Sequence, residues 1–244
     1  MRRAWLIACK DMKEAFGRRA LVLRIVVPVM LMPIAYGVAT GYALRRAPAT
    51  AKTAGVVSGV VFVHAALVSL IGTLLGTAIA ADAIAGEKER RSIEPLMAAP
   101  VTDREIFAGK VIAGFIPSML GGYGAAILFF ATAHIVSGAS PLLISATFRI
   151  AGLILCAIPV VTAVFLAIGV IVSARSSTVA SATQVSGLIG MPVFGGVIYL
   201  AFRATAWPLS WLLLILAAAC ALALLLLLFG ARAMGREEII ARLD

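Results

Sequence analysis

Few side chains in this sequence could do chemistry unaided. The two histidines, His64 and His134, lie far apart, and neither has His, Cys or carboxylate neighbours at metal-ligand spacing. The three cysteines, Cys9, Cys156 and Cys220, form no CxxC pair and fall in or beside apolar runs. They read as small packing residues rather than ligands or disulfide partners. Ser186-Gly187 and His134 supply the residue types of an acyl-transfer nucleophile and base, but no GxSxG-like turn presents the serine. A phosphate-cradling Walker A loop needs GxxxxGK followed by Ser or Thr, whereas Gly109-Lys110 is followed by Val111. No catalytic residue and no metal set is expected, and the chain should not hydrolyse ATP by itself.

The densest chemistry is ionic. Residues 82–110 carry 6 of the 11 acids and 5 of the 21 bases. Glu87 and Arg91, and Arg90 and Glu94, stand four apart with opposite charge, a spacing that supports an exposed helix. Pro95 cannot continue that helix without losing a backbone bond, and Leu96 and Met97 follow as apolar side chains in a polar stretch. Thr102-Asp-Arg-Glu105 has the form of a capping box at the start of a new helix. The segment is expected to run helix, break, turn, helix. It is either an ordinary solvated loop or a docking element with an apolar knob.

The elements that must position this segment are set by composition. The chain has 244 residues, 62% of them hydrophobic and only 13% charged, with a mean hydropathy of +1.08. Average soluble domains are about a quarter charged, so this chain has too little polar side chain to cover a water-facing surface. The composition argues against a soluble enzyme and against a disordered chain, and if most of the chain spans lipid, no length remains for a folded extramembrane domain. Crossing ~30 Å of hydrocarbon takes about 20 apolar residues. Six such runs occur, near 20–42, 56–81, 106–133, 150–172, 179–201 and 207–230.

With both termini on one side, that side holds fifteen of the basic residues and the other only Arg45, Arg46, Lys52 and Arg203, while Arg24 and Arg149 sit near span ends. The bias puts both termini in the cytoplasm. It also accounts for the net charge of +10 without nucleic acid, whose binding would need a basic water-facing groove. The first apolar run is longer than a signal-peptide core and is read as retained.

Residues 1–17 have a pattern of their own. Trp5, Cys9, Met12 and Phe16 make one helical stripe, and Gly17 is a plausible stop. Such a helix fits best lying flat in the membrane interface. Gly37/Gly41, Gly55/Gly59 and Gly72/Gly76 have the spacing of close helix packing. His64, Gln184 and Ser186 are polar groups inside spans and are candidate pathway residues. Arg175, Ser176 and Ser177 lie in a short turn between the fourth and fifth spans, a second, smaller cytoplasmic contact.

The run Glu87-Lys-Glu-Arg-Arg-Ser-Ile-Glu-Pro-Leu-Met-Ala-Ala-Pro-Val-Thr-Asp-Arg-Glu-Ile-Phe-Ala-Gly-Lys110 resembles the signature loop of ABC-2 type permeases, the membrane subunits of ABC exporters. That pattern reads E-K-E-R-x-[ST]-[IL]-E-x-L-[LM]-x-x-P-[VI]-[ST]-x-x-E-[IL]-x-x-G-K. The resemblance implies an all-α polytopic membrane protein of ABC-2 (type V exporter-like) architecture. It would be a single transmembrane domain over residues 1–244: an interfacial helix, six spans and an 82–105 cytoplasmic coupling loop. It implies an exporter permease coupled to a separate ABC ATPase subunit, which would hold ATP and Mg; no cofactor is expected in this chain. Glu87, Lys88, Glu89, Arg90, Arg91, Glu94, Pro95, Leu96 and Met97 would face that ATPase. Two permeases, identical or related, would pair in a prokaryotic inner membrane. A membrane scaffold that docks a cytoplasmic partner through the same loop is the alternative. The cargo is not legible.

Overall fold

The computed structural model describes residues 2–17, 19–46, 51–91, 100–138, 140–203 and 208–230. Among them are seven helices: α1 (Arg2–Gly17), α2 (Arg19–Arg46), α3 (Ala51–Glu89), α4 (Asp103–Ser137), α5 (Pro141–Arg175), α6 (Val179–Arg203) and α7 (Leu209–Gly230). All but α1 contain a stretch long and apolar enough to cross a membrane, six in total. The fold is thus all-α and polytopic, as the apolar runs require.

Two helices overrun the bilayer. At 1.5 Å per residue, the 39 residues of α3 extend about 58 Å, nearly twice a ~30 Å hydrocarbon core. The 35 residues of α4 extend about 52 Å. The excess lies at one end of the bundle, where α3 ends, α4 begins and the charged residues cluster. The charged helix expected after the second span is therefore the last two turns of that span itself. It stops at Glu89, and Arg91 beyond it takes a left-handed conformation, φ 53°. Glu94, Pro95, Leu96 and Met97 lie outside the described residues.

The turn chemistry at the start of α4 is as expected. Thr102 is the N-cap; its hydroxyl accepts from the Glu105 amide, and the Glu105 carboxylate accepts from the Thr102 amide. The Thr102 backbone bond holds the Glu105 carboxyl below its ordinary range. At the far end Gly138 takes φ 67° and closes the helix in a left-handed cap.

The helices α3, α4 and α5 form the centre. α2 lies along α4, α6 rests on α3 and α5, α7 rests on α5, and α1 rests mainly on α4. One apolar cluster, containing Val61, Phe129, Leu143 and Ile154, fills the half away from the charged end. A second, around Ile84, Phe107, Leu166 and Val170, fills the half beside it. Of the glycine pairs, Gly37 and Gly41 both serve close packing: a Cβ on Gly37 would strike Thr132 and Phe129 O, and one on Gly41 would lie 2.6 Å from Val136 Cβ. Gly76 faces Gly114 and Ser118 in the same way, whereas a Cβ on Gly55 would meet nothing within 4 Å.

Gly37→Val should therefore push α2 off α4 and lower the melting temperature in detergent, while Gly55→Ala leaves it unchanged or slightly raised. Thr102→Ala should cost about 1 kcal/mol, seen as faster amide exchange in the first turn of α4.

Candidate functional site

Lys110 lies in the second turn of α4, with 1% of its side chain exposed. A bare ammonium cannot be buried there without partners. Two carboxylates supply them: Asp11 Oδ2 of α1 at 2.9 Å and Glu87 Oε1 of α3 at 3.0 Å. Lys10 of α1 reaches the same Glu87 oxygen at 3.2 Å from the solvent side. Arg90 extends the network, pairing with Glu14 at 3.4 Å and with Asp82 at 3.1 Å. Three helices are thereby tied together by charge.

Backbone geometry makes room for these contacts. Gly109, beside Lys110, lets α1 sit directly on α4: a Cβ there would lie 2.8 Å from Ala4 O and 2.9 Å from Ile7 Cβ. Ala4, Ala8 and Ala15 complete that small-residue face. Gly86 lies between Asp82 and Arg90, and a Cβ on it would strike the Asp82 carboxylate and approach Arg90 Nη1 to 3.0 Å. The arginine can reach back two turns only because that position carries no side chain. Arg3 donates to Pro100 O just ahead of the α4 cap.

Burial decides the electrostatics. It pushes the Asp11 carboxyl above its ordinary range, against the opposing pull of Lys110. Burial alone would lower Lys10, but the Glu87 carboxylate outweighs it and holds that ammonium above its usual value.

A second set of contacts joins α3 to the turn between α5 and α6. Ser173 is fully buried, and its Oγ accepts from the Ile84 and Ala85 amides at 3.1 and 3.0 Å while donating to Ala81 O at 2.7 Å. Lys88 Nζ donates to Ala174 O (2.9 Å) and Ser176 O (3.4 Å) at the end of α5. The Val179 amide opening α6 donates to Glu89 Oε1 at 2.8 Å.

These positions correct several expectations. Glu87 and Lys88 are 2% and 8% exposed, not displayed on a solvated face, because each has partners from distant helices. The helix ends at Glu89, between Glu87 and Arg91, and Glu87 turns inward to Lys10 and Lys110. Glu89, Arg90 and Arg91 are exposed, as are Arg175 and Ser177, with Ser176 half-buried. Two segments read as separate contacts are thus bonded to each other. On α1, Trp5, Cys9 and Phe16 do face outward, joined by Leu6, but Met12 packs inward with Ala8, Ile79 and Ala113. Cys9 and Cys156 are exposed rather than packed.

The intramembrane polar residues are scattered. His64 Nδ1 pairs with Thr40 Oγ1 at 2.8 Å, with the Tyr36 ring 4.9 Å away, and His134 pairs with Thr147 at 3.2 Å. Gln184 is exposed on α6, and the buried Ser186 hydroxyl has no hydrogen-bond partner among the described residues. The contacts of Lys110, Glu87 and Ser173 have no signature in local spacing. Lys110 itself was visible only as a charge eight residues into an otherwise apolar helix.

Breaking a buried ion pair by removing one partner costs about 3–5 kcal/mol. Lys110→Met should destabilise the protein by that amount, since it leaves two buried carboxylates facing each other. Asp11→Asn should cost clearly less, because it also removes a charge that burial opposes. A carboxyl raised in the folded state favours folding at low pH, and that contribution is lost as pH rises through the folded value. Asp11→Asn should therefore flatten the acid side of the stability profile measured by thermal unfolding in detergent.

A family model described as ABC-2 family transporter protein matches residues 5–205. No curated protein matches the chain. The matched region runs from α1 through the end of α6 and takes in both the ionic network and the α3–α5–α6 junction. With six membrane-length helices arranged around that charged end, the chain belongs to the ABC-2 transporter family and is a membrane permease component.

Proposed function

We propose that this chain is the permease subunit of an ATP-driven exporter, that it forms the passage with a second permease, and that a separate ABC ATPase drives it. The observation that carries the reading is the convergence of α1, α3, α4, α5 and α6 on residues 82–91. A single helix end that grips four others suits a subunit that receives a mechanical stroke. The exposed Arg90 and Arg91 lead into residues 92–99, which include the apolar Leu96 and Met97 and are where the ATPase would dock. The charged end then faces the cytoplasm of a prokaryotic inner membrane, in keeping with the bias of basic residues toward it. ATP and Mg would be held by the ATPase. Family membership makes this reading fit better than a scaffold that moves nothing.

What supports the pairing of two permeases is how little α6 is covered. Only 6% of its apolar window is buried within the chain, against 50% for α4. Its uncovered side carries Gln184 together with Gly187 and Gly195, which have no neighbour within 4 Å of a Cβ. A half-open cavity of about 280 Å³ lies among α3, α5, α6 and α7 and is lined by residues such as Phe62, Ile158, Val197 and Leu216. Walls of that kind suit no hydrated passage, which favours a polar path between protomers.

Co-expression with a candidate ATPase and purification through the permease tests the reading. The ATPase should co-purify, and Leu96→Asp with Met97→Asp should lower its affinity roughly tenfold or more, as loss of an apolar anchor does. Unchanged association in that variant would remove the docking assignment. Permease pairing is read separately: Gly187→Cys on α6 should cross-link two copies in the membrane.

A further inference from the structure

We infer that Lys88, Glu89 and Ser173 lock the end of α3 and the α5–α6 turn into one rigid body, and are positioning residues for coupling rather than contacts with the ATPase. The inference rests on the proposed pairing with an ATPase and states how its stroke is distributed.

Each of the three side chains grips backbone, which cannot rotate out of the way. Ser173 Oγ enters the ladder of α3 by sharing the amides of Ile84 and Ala85 and bonding Ala81 O. The hydroxyl thereby ties α5 to three backbone groups of α3 at once. Lys88 places a cation on carbonyls at the C-terminal end of α5, and Glu89 places an anion on the first amide of α6. Each charge sits at the dipole end that it stabilises. Exchanging them would oppose both dipoles, so the order Lys-Glu at 88–89 is matched to the order of helix end and helix start across the turn. Ala81, Ala85 and Ala182 pack in the same place with Val179, which leaves the two segments no room to slide. The end of α3 cannot move along α5 without breaking several of these bonds in a dry setting, where they are strongest. A displacement delivered to residues 90–91 therefore reaches α5 and α6 together. Arg175, Ser176 and Ser177 move with the end of α3 rather than sensing the ATPase independently.

The test is hydrogen exchange on the permease–ATPase complex in nanodiscs, nucleotide-free and trapped with ATP and vanadate. In the natural sequence the amides of Ile84, Ala85 and Val179 should exchange slowly and equally in both states. In a Ser173→Ala, Lys88→Met variant the ATPase should still co-purify and hydrolyse ATP. Trapping should then accelerate those three amides roughly fivefold or more, the scale of an ordinary coupling constant. Ser173→Thr, which keeps the hydroxyl, should behave as the natural sequence does. Glu89→Ala, an exposed change that removes the acceptor, provides a second variant and should show the effect at Val179 alone. The rigid-body assignment is overturned if trapping accelerates these amides in the natural sequence, or if the variants stay as insensitive to nucleotide as the natural protein. Failure of any ATPase to co-purify with the natural permease would instead remove the reading on which this one rests.

Discussion

A single ammonium group, Lys110, sets the architecture of the charged end. Its side chain is 1% exposed, and removing a charge from water to that degree costs several kcal/mol unless partners surround it. Asp11 and Glu87 are those partners, and they come from two different helices. The requirement that this charge be satisfied therefore dictates where α1 lies and how α3 is rotated about its axis. Glycines at 86 and 109 are consequences of the same demand, since both open space for the network or for the backbone that carries it.

The network also explains why α1 shows two apolar edges. A helix held by Asp11 and Lys10 must turn its small residues, Ala4, Ala8 and Ala15, toward α4. That leaves Trp5, Leu6 and Phe16, each about half exposed, on the opposite side. These are the residue types that prefer the boundary between headgroups and acyl chains. The ionic face of α1 and its greasy face are two aspects of one orientation.

Much of the fold was legible beforehand because the relevant forces are local or one-dimensional. A span announces itself by twenty apolar residues in a row, and a capping box such as Thr102–Glu105 by two residue types three apart; both were found where expected. The fate of Glu87 was not legible, and the reason is physical. A charge run reads as solvated because isolated charges stay in water, and the partners that bury this one stand 77 and 23 residues away in sequence. The same holds for Lys88 and Glu89, whose acceptor and donor are backbone groups on α5 and α6. Backbone groups carry no sequence signal at all. The stripe on α1 failed only at Met12, where the true helical phase puts that side chain nearer the alanine face.

The distribution of burial carries the argument one step further. α3, α4 and α5 have nearly half or more of their apolar windows covered by the chain itself, whereas α6 and α7 have almost none. In water such helices would be intolerable, but in a bilayer acyl chains cover an apolar face as well as leucine does. This suffices for α7, whose 22 residues are almost all Leu, Ala and Ile with no charge among them. It does not suffice for α6, where Gln184 and the glycines at 187, 195 and 196 stand on an uncovered surface. Glycine contributes no apolar area to lipid, and an amide facing hydrocarbon loses its hydrogen bonds. Both become favourable against another polypeptide, where small residues allow close approach and an amide can find a partner. The helix that is gripped at its start by Glu89 of α3 is thus also the one whose remaining length is fitted for protein contact. It is the natural place for a movement begun at the charged end to reach a second subunit.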